Sequence, residues 1–225
     1  WWTNEGEKIS KSLGNVIDPN LLAEEFGLDQ TRYFLMREVP FGNDGDFSRR
    51  AMIHRMNGDL ANDLGNLSQR VLSMIFKNCS GVMPALPATA APEDSALLDA
   101  ADAMLGKVRA HMDLQSFHEA LRCIWEVVSD ANKYVDTTAP WGLKKTDPVR
   151  MGEVLAVLAE TIRQAAILVQ PVMPGSASKI LDQLGVADGQ RGFDMLAGAG
   201  RIAPGVEISK PEPVFPRFVE EEGEV

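Results

Sequence analysis

The sequence predicts a mainly α fold, a helical bundle entered through a short, turn-rich segment. Three observations carry this. Between residues 48 and 170 apolar side chains recur at three- and four-residue steps, the spacing that gathers them on one face of a helix. Glycine and proline concentrate between those runs, where they stop or restart helices. At 225 residues and 45% hydrophobic content, the chain is long enough to bury a real core.

The elements follow in order. Residues 1–47 are dense in Gly, Pro and charge, and Asp18-Pro19 reads as a helix start, a carboxylate cap followed by proline at the first helical position. That helix should stop near Gly27. A second begins at Asp29, runs through Tyr33 to Arg37, and is ended by Pro40 and Gly42. From Ser48 a long amphipathic helix is expected, with Met56, Leu60, Leu64, Leu67, Val71 and Ile75 on one stripe. An Ala/Pro-rich break over 81–92 precedes a helix from about Ser95 to His111. The next carries Phe117, Leu121, Ile124, Val128, Ala131 and Val135, and Pro140 closes it. A fourth bundle helix runs from about Asp147 to Gln170 with Met151, Val154, Leu158, Ile162 and Ala165 inward, and a short fifth follows Pro174. Residues 185–225 alternate Gly and Pro with short apolar runs and end in the acidic residues Glu220 to Glu222 and Glu224. This part is expected to pack across the surface as a tail.

Composition narrows the function classes. A formal charge of -10 argues against broad adhesion to polyanions, so any nucleic-acid contact has to be local. Cys79 and Cys123 are far apart, and neither they nor His54, His111 and His118 form a metal-ligand spacing. The apolar runs are too short to cross a bilayer and no secretory leader opens the chain, so a cytoplasmic location and no membrane partner are expected. The opening residue is Trp1, and the expectation is that the working unit is longer.

The sharpest local signal is Lys8-Ile9-Ser10-Lys11-Ser12, followed by Leu13-Gly14-Asn15. An enzyme that attacks the α-phosphate of ATP must offset charge growing on the departing pyrophosphate, and mobile ammonium groups do this most strongly in the transition state. Gly6 and Gly14 let such a loop bend, and the serine hydroxyls can hold its shape or meet phosphate oxygens. A plain solvated Lys/Ser loop is the competing interpretation.

With Trp2 before it and Ser12-Leu13-Gly14-Asn15 at its end, the stretch resembles the KMSKS signature of class I aminoacyl-tRNA synthetases, with Ile9 in place of the usual Met. The next segment, Arg32-Tyr33-Phe34-Leu35-Met36-Arg37-Glu38-Val39-Pro40-Phe41-Gly42 and then Asp44 to Ser48, is similar to the connective stretch of methionyl-tRNA synthetases. The resemblance implies that Lys8 and Lys11 act in catalysis and contact ATP, with Lys11 the more important for activation, and that Ser10 and Ser12 support ATP binding.

It also implies that the bundle reads an anticodon. Asn66 and Arg70 are four apart on one helix face, turned away from the apolar stripe, and in the family such a pair meets anticodon bases. A Trp after Pro at a later corner, here Pro140-Trp141, supplies a stacking surface. Single-stranded RNA is read by stacking splayed bases on aromatic rings and bonding their free edges, needs that indole, carboxamide and guanidinium meet. Each residue also has an ordinary alternative. Asn66 would sit on a polar face, Arg70 would pair with Asp63 or Asp59, and Trp141 would cap the bundle core. Lys144 and Lys145 would touch phosphates or form a solvated pair, Asn132 and Tyr134 would buttress the corner, and Trp125 is read as core.

The fold implied is a helical-bundle anticodon-binding domain over 48–184, preceded over 1–47 by the end of a class I Rossmann-type catalytic domain and a small α+β connective (stem-contact) segment, with the tail over 185–225. The whole enzyme would use ATP with Mg²⁺ to charge tRNA(Met), read by its CAU anticodon loop, with methionine. The HIGH signature, methionine pocket and zinc-bearing insertion of the family are not in this sequence, so the chain alone is expected to be inactive and to carry no metal site. A monomer is the expectation, although nothing in the sequence fixes the oligomeric state. Another class I synthetase, or a non-catalytic tRNA-binding module, remains open at this point.

Overall fold

The computed structural model describes residues 2–219, so Trp1 and the acidic run from Glu220 onward lie outside the described residues. The chain opens with a hairpin of β1 (Trp2–Asn4) and β2 (Glu7–Lys8), and β3 (Gly45–Phe47) lies parallel to β1 on its other side, giving the order β2-β1-β3. Between β2 and β3 come α1 (Pro19–Phe26) and α2 (Leu28–Arg37). Asp18 caps α1 as its sequence position requires, its carboxylate accepting from the Asn20 amide at 2.8 Å. Phe26, Phe34, Phe47, Met52 and Met56 close a small apolar core beneath this sheet.

The predicted long helix exists, but its interior departs from α geometry. It comprises α3 (Arg49–Arg55), a π-helical stretch over Met56–Gly65, and α4 (Asn66–Asn78), running on without a break. Ser48 caps it, accepting from the Ala51 amide. The widened π turns still bury Met56, Leu60 and Leu64, because each added residue per turn is absorbed before the apolar stripe drifts off the core.

Two antiparallel helices follow, α5 (Pro92–Asp113) and α6 (Phe117–Thr138). α5 starts earlier than its periodicity suggests, since Pro92 sits at the first position and the Asp94 carboxylate reaches back to the Ala91 amide at 3.2 Å. α6 ends at Ala139, held left-handed at φ 42°, and Pro140 opens an additional short helix, α7 (Pro140–Thr146). Then α8 (Pro148–Val169), capped by Asp147, passes through the middle of the bundle with every residue from Val154 to Val169 buried, and α9 (Pro174–Gln183) follows.

α8 is a buried helix that nevertheless carries charge. Glu160 and Arg163, each 1% exposed, pair at 2.7 Å. Unpaired burial of such groups would be prohibitive, and here their remaining valences are met. Arg163 donates to the Met195 carbonyl at 2.9 Å, and Glu160 accepts from Gln164 and from the Ile202 amide at 3.0 and 3.1 Å. Gln164 and Arg201 both bond Asp102 on α5. The network therefore fastens residues 195–202 to the bundle.

Beyond it the chain passes back over the bundle and sends Ile208 and Phe215 into the main core. Val82 and Glu207 form an antiparallel bridge, and Phe215 inserts against Gly65, where an added Cβ would stand 3.3 Å from the phenylalanine and 2.8 Å from the Leu60 carbonyl oxygen. Phe218 then exchanges two hydrogen bonds with the Asn57 side chain, at 2.9 and 2.8 Å, and its ring meets Phe26 at 5.0 Å.

The opening segment is bolted to the bundle by α2. Arg32 donates to the Val172 and Pro171 carbonyls, both at 2.8 Å. Asp29, expected to start its own helix, instead lies inside α2 and its carboxylate accepts from the Ser176 amide at 2.5 Å, capping α9 from a distance. Tyr33 packs on Trp125 at 4.7 Å and donates to Asp59 at 2.7 Å, while the Trp125 indole donates to the Asp59 carbonyl. Trp125 is thus core, with its polar end satisfied. No helix of the described residues is long and apolar enough to cross a membrane.

Candidate functional site

Two places hold the residues singled out by the sequence. The first is where α4 meets α7. Asn66 opens α4 directly after the π stretch, and Arg70 lies one regular turn later on the same face. The Asn66 side chain is exposed and has no hydrogen-bond partner among the described residues. Arg70 reaches across to α6 and α7: its guanidinium donates to Asp136 at 2.8 Å and its Cζ lies 5.7 Å from the Trp141 ring centroid, within cation-π range. Its partner is neither Asp59 nor Asp63. Trp141 is 53% exposed, presented outward by the first turn of α7 rather than folded over the core.

The sharp turn makes this possible. Left-handed Ala139 reverses the chain and Pro140, itself buried, fixes the start of α7, so the following indole projects from a rigid corner. Thr138 donates to the Tyr134 carbonyl at 2.7 Å, tightening the last turn of α6. The Tyr134 hydroxyl, expected to support the corner, points instead to Asp94 at 2.7 Å, and Arg150 grips the same carboxylate with two bonds of 2.6 and 2.7 Å. Burial disfavours the charged carboxylate of Asp94, but Arg150, Tyr134 and the Ala91 amide outweigh it and hold its pKa below the ordinary value. Burial first, and then Asp94, pushes the Tyr134 phenol far up. Asn132 also faces elsewhere, donating to the Val128 and Asp63 carbonyls at 3.1 and 3.4 Å, the latter within the π stretch that ends beside Asn66.

The arrangement therefore sets an exposed indole against the Arg70 guanidinium, with the free Asn66 carboxamide one turn before Arg70 on the same helix face. Lys144 and Lys145 are exposed at the end of α7. Asp136 is the group that sequence reasoning missed: it is one turn of helix before the Pro140-Trp141 corner and orients Arg70 over the ring. Its spacing to the tryptophan is visible in the sequence, but its partner depends on how α4 and α6 cross.

The second place is the loop between β2 and α1. Lys8 ends β2, Ser10 precedes a short 3₁₀ turn over Lys11–Leu13, and Gly14 at φ 68° brings the chain back. Ser10 and Ser12 share a hydroxyl hydrogen bond of 2.7 Å. Lys8 and Lys11 are exposed, and neither ammonium is paired among the described residues. Such a loop presents two unquenched cations to solvent. Among the described residues no cluster of three His, Cys, Asp or Glu side chains could hold a metal ion.

Comparison with known proteins bears on both places. Residues 1–72 match the family model described as "tRNA synthetases class I (M)", and residues 84–225 match "Anticodon binding domain of methionyl tRNA ligase". The chain is 56% identical over 218 residues to a methionine–tRNA ligase of Brucella suis and 53% identical over 216 residues to that of Rhizobium meliloti, aligning 96% of itself with each. It spans 42% of the length of each of these relatives. Among solved structures, methionyl-tRNA synthetase of Mycobacterium tuberculosis in complex with methionyl-adenylate superposes with a TM-score of 0.92 at 51% identity, over 96% of this chain and 43% of that one. Its apo form superposes with a TM-score of 0.90 at 46% identity, over 98% of this chain and 43% of that one. Two adjoining family matches, identities above half and a superposition along nearly the whole chain lead to one conclusion: the chain belongs to the methionyl-tRNA synthetase family.

Proposed function

We propose that this chain serves a methionine–tRNA ligase in two ways, reading the CAU anticodon of tRNA(Met) with Asn66, Arg70 and Trp141 and delivering Lys8 and Lys11 to the phosphates of ATP. The observation that carries the first part is the Arg70–Trp141 contact at 5.7 Å on an open surface beside the unpartnered Asn66. A base that stacks on the indole brings its edge within reach of groups that can donate and accept, and a wrong base leaves one of them unpaired.

For the second part, the unpaired ammonium groups of Lys8 and Lys11 neutralise negative charge as pyrophosphate leaves the α-phosphate, with Ser10 and Ser12 holding the loop or meeting phosphate oxygens. Mg²⁺ would arrive with the nucleotide. In this reading residues 1–47 close the catalytic domain, 48–184 form the anticodon-binding domain and 185–225 the tail, and the enzyme works in the cytoplasm, where its tRNA is charged.

The test uses both ends. This chain should bind a CAU anticodon stem-loop better than one with the three letters permuted, and equal affinity at matched salt would reject the anticodon role. In the full-length enzyme Lys11→Ala should lower ATP-pyrophosphate exchange by about 100-fold while leaving tRNA affinity little changed. Undiminished exchange would reject the role of that lysine.

A further inference from the structure

Lys8 and Lys11 need a fixed frame if they are to act as a pair, and neither supplies it with its own side chain. The frame comes from Asn15. Its Nδ2 donates to the Lys8 carbonyl at 3.1 Å and its Oδ1 accepts from the Ser10 amide at 2.8 Å. One carboxamide therefore spans the loop, gripping the backbone on both sides of Ile9. Asn15 is itself held: its carbonyl accepts from Asn4 Nδ2 at 3.1 Å, and Asn4 is the last residue of β1. The 3₁₀ turn and Gly14, whose amide donates to the Lys11 carbonyl at 3.3 Å, bring residue 15 back to where its side chain can reach. The chain of contacts runs from sheet to Asn4 to Asn15 to the Lys8 carbonyl and the amide of Ser10, the residue before Lys11.

We infer that Asn15, anchored by Asn4, is a positioning residue for the Lys8/Lys11 pair. The inference rests on the reading of this loop as ATP-handling. Without the carboxamide the Lys8 carbonyl and the Ser10 amide turn to water, and the loop has to be ordered anew for each turnover. The fold has little at stake, because Asn15 is half-buried and outside both apolar cores.

The experiment is a double-mutant cycle in the full-length enzyme, read by ATP-pyrophosphate exchange. Asn15→Ala should lower kcat about tenfold with KM for methionine unchanged, and Lys11→Ala about 100-fold. In the Lys11→Ala background, removing Asn15 should cost only about threefold, because part of its action passes through that lysine and the rest through Lys8. Losses that simply multiply would overturn the inference, and so would an unchanged kcat for Asn15→Ala. Full activity of Lys11→Ala would instead reject the ATP-loop reading beneath it. Asn15→Gln, whose amide reaches one methylene too far, is the second variant if the alanine form does not fold. The same loss is expected of it, and wild-type kcat would count equally against the inference.

Discussion

Replacing Trp141 by alanine tests the proposed anticodon cradle most directly, because the exposure of the ring separates any effect on RNA binding from an effect on the fold. The ring is 53% exposed and belongs to neither apolar core, so its removal should change folding stability by no more than about 0.5 kcal/mol. The Arg70 contact at 5.7 Å exists before RNA arrives and largely cancels in the binding difference. What is lost on binding is the stacking of a base, about 1–3 kcal/mol, which corresponds to roughly 5- to 150-fold in affinity. Fluorescence anisotropy of a labelled CAU stem-loop, titrated with this chain at one fixed salt concentration, reads this directly. Holding salt constant matters because phosphate contacts change affinity steeply with ionic strength. Trp141→Phe, which still offers a plate, should recover most of the loss. The reasoning is refuted if the alanine variant binds as tightly as the parent chain, or if it weakens CAU and permuted loops equally.

Two further perturbations address the scaffold. Asp94 is held below its ordinary pKa, so its contribution to stability should be complete above the unfolded value of about 4 and lost as pH falls through the lower folded value. Thermal melts of the wild type should decline over that acid range, whereas Asp94→Asn should be about 3 kcal/mol less stable at pH 7, with Arg150 left half paired, and flatter in acid. Phe215→Ala opens a cavity over Gly65 and should cost about 3 kcal/mol, a fall in Tm on the order of 9 °C by calorimetry. A melt within a degree of wild type would show that the tail does not support the π stretch.

The residues differ in how far their roles could be seen without coordinates. The Leu60, Leu64, Leu67, Val71 stripe and the outward placement of Asn66 and Arg70 follow from helical period alone, and Asp18-Pro19 is a local cap that needs no tertiary partner. Other features depend on chain segments far apart in sequence. Asp29 looks like the cap of its own helix, yet its carboxylate serves the Ser176 amide 147 positions away, because the first turns of α2 and α9 meet. Glu160 and Arg163 look like a surface i, i+3 pair, yet they are buried and bonded by Met195 and Ile202 of a segment more than thirty positions away. Asn15 is a signature residue whose use is hidden, since its partners are backbone groups that any sequence would offer. The short α7 escaped because a proline after a long helix signals an end as strongly as a beginning.

The π stretch before Asn66 has a consequence for how the molecule can tolerate change. In an ordinary α-helix each residue advances the face by about 100°. Deleting one residue between 56 and 65 would allow that stretch to relax to α geometry, and loss of length there would be cheap for the backbone. An insertion that the stretch cannot absorb would instead swivel everything downstream by about 100° relative to α3, carrying Asn66 and Arg70 away from the indole on α7. Length in this stretch is therefore a setting of aim, and insertions there should be far less tolerated than substitutions on its outer surface.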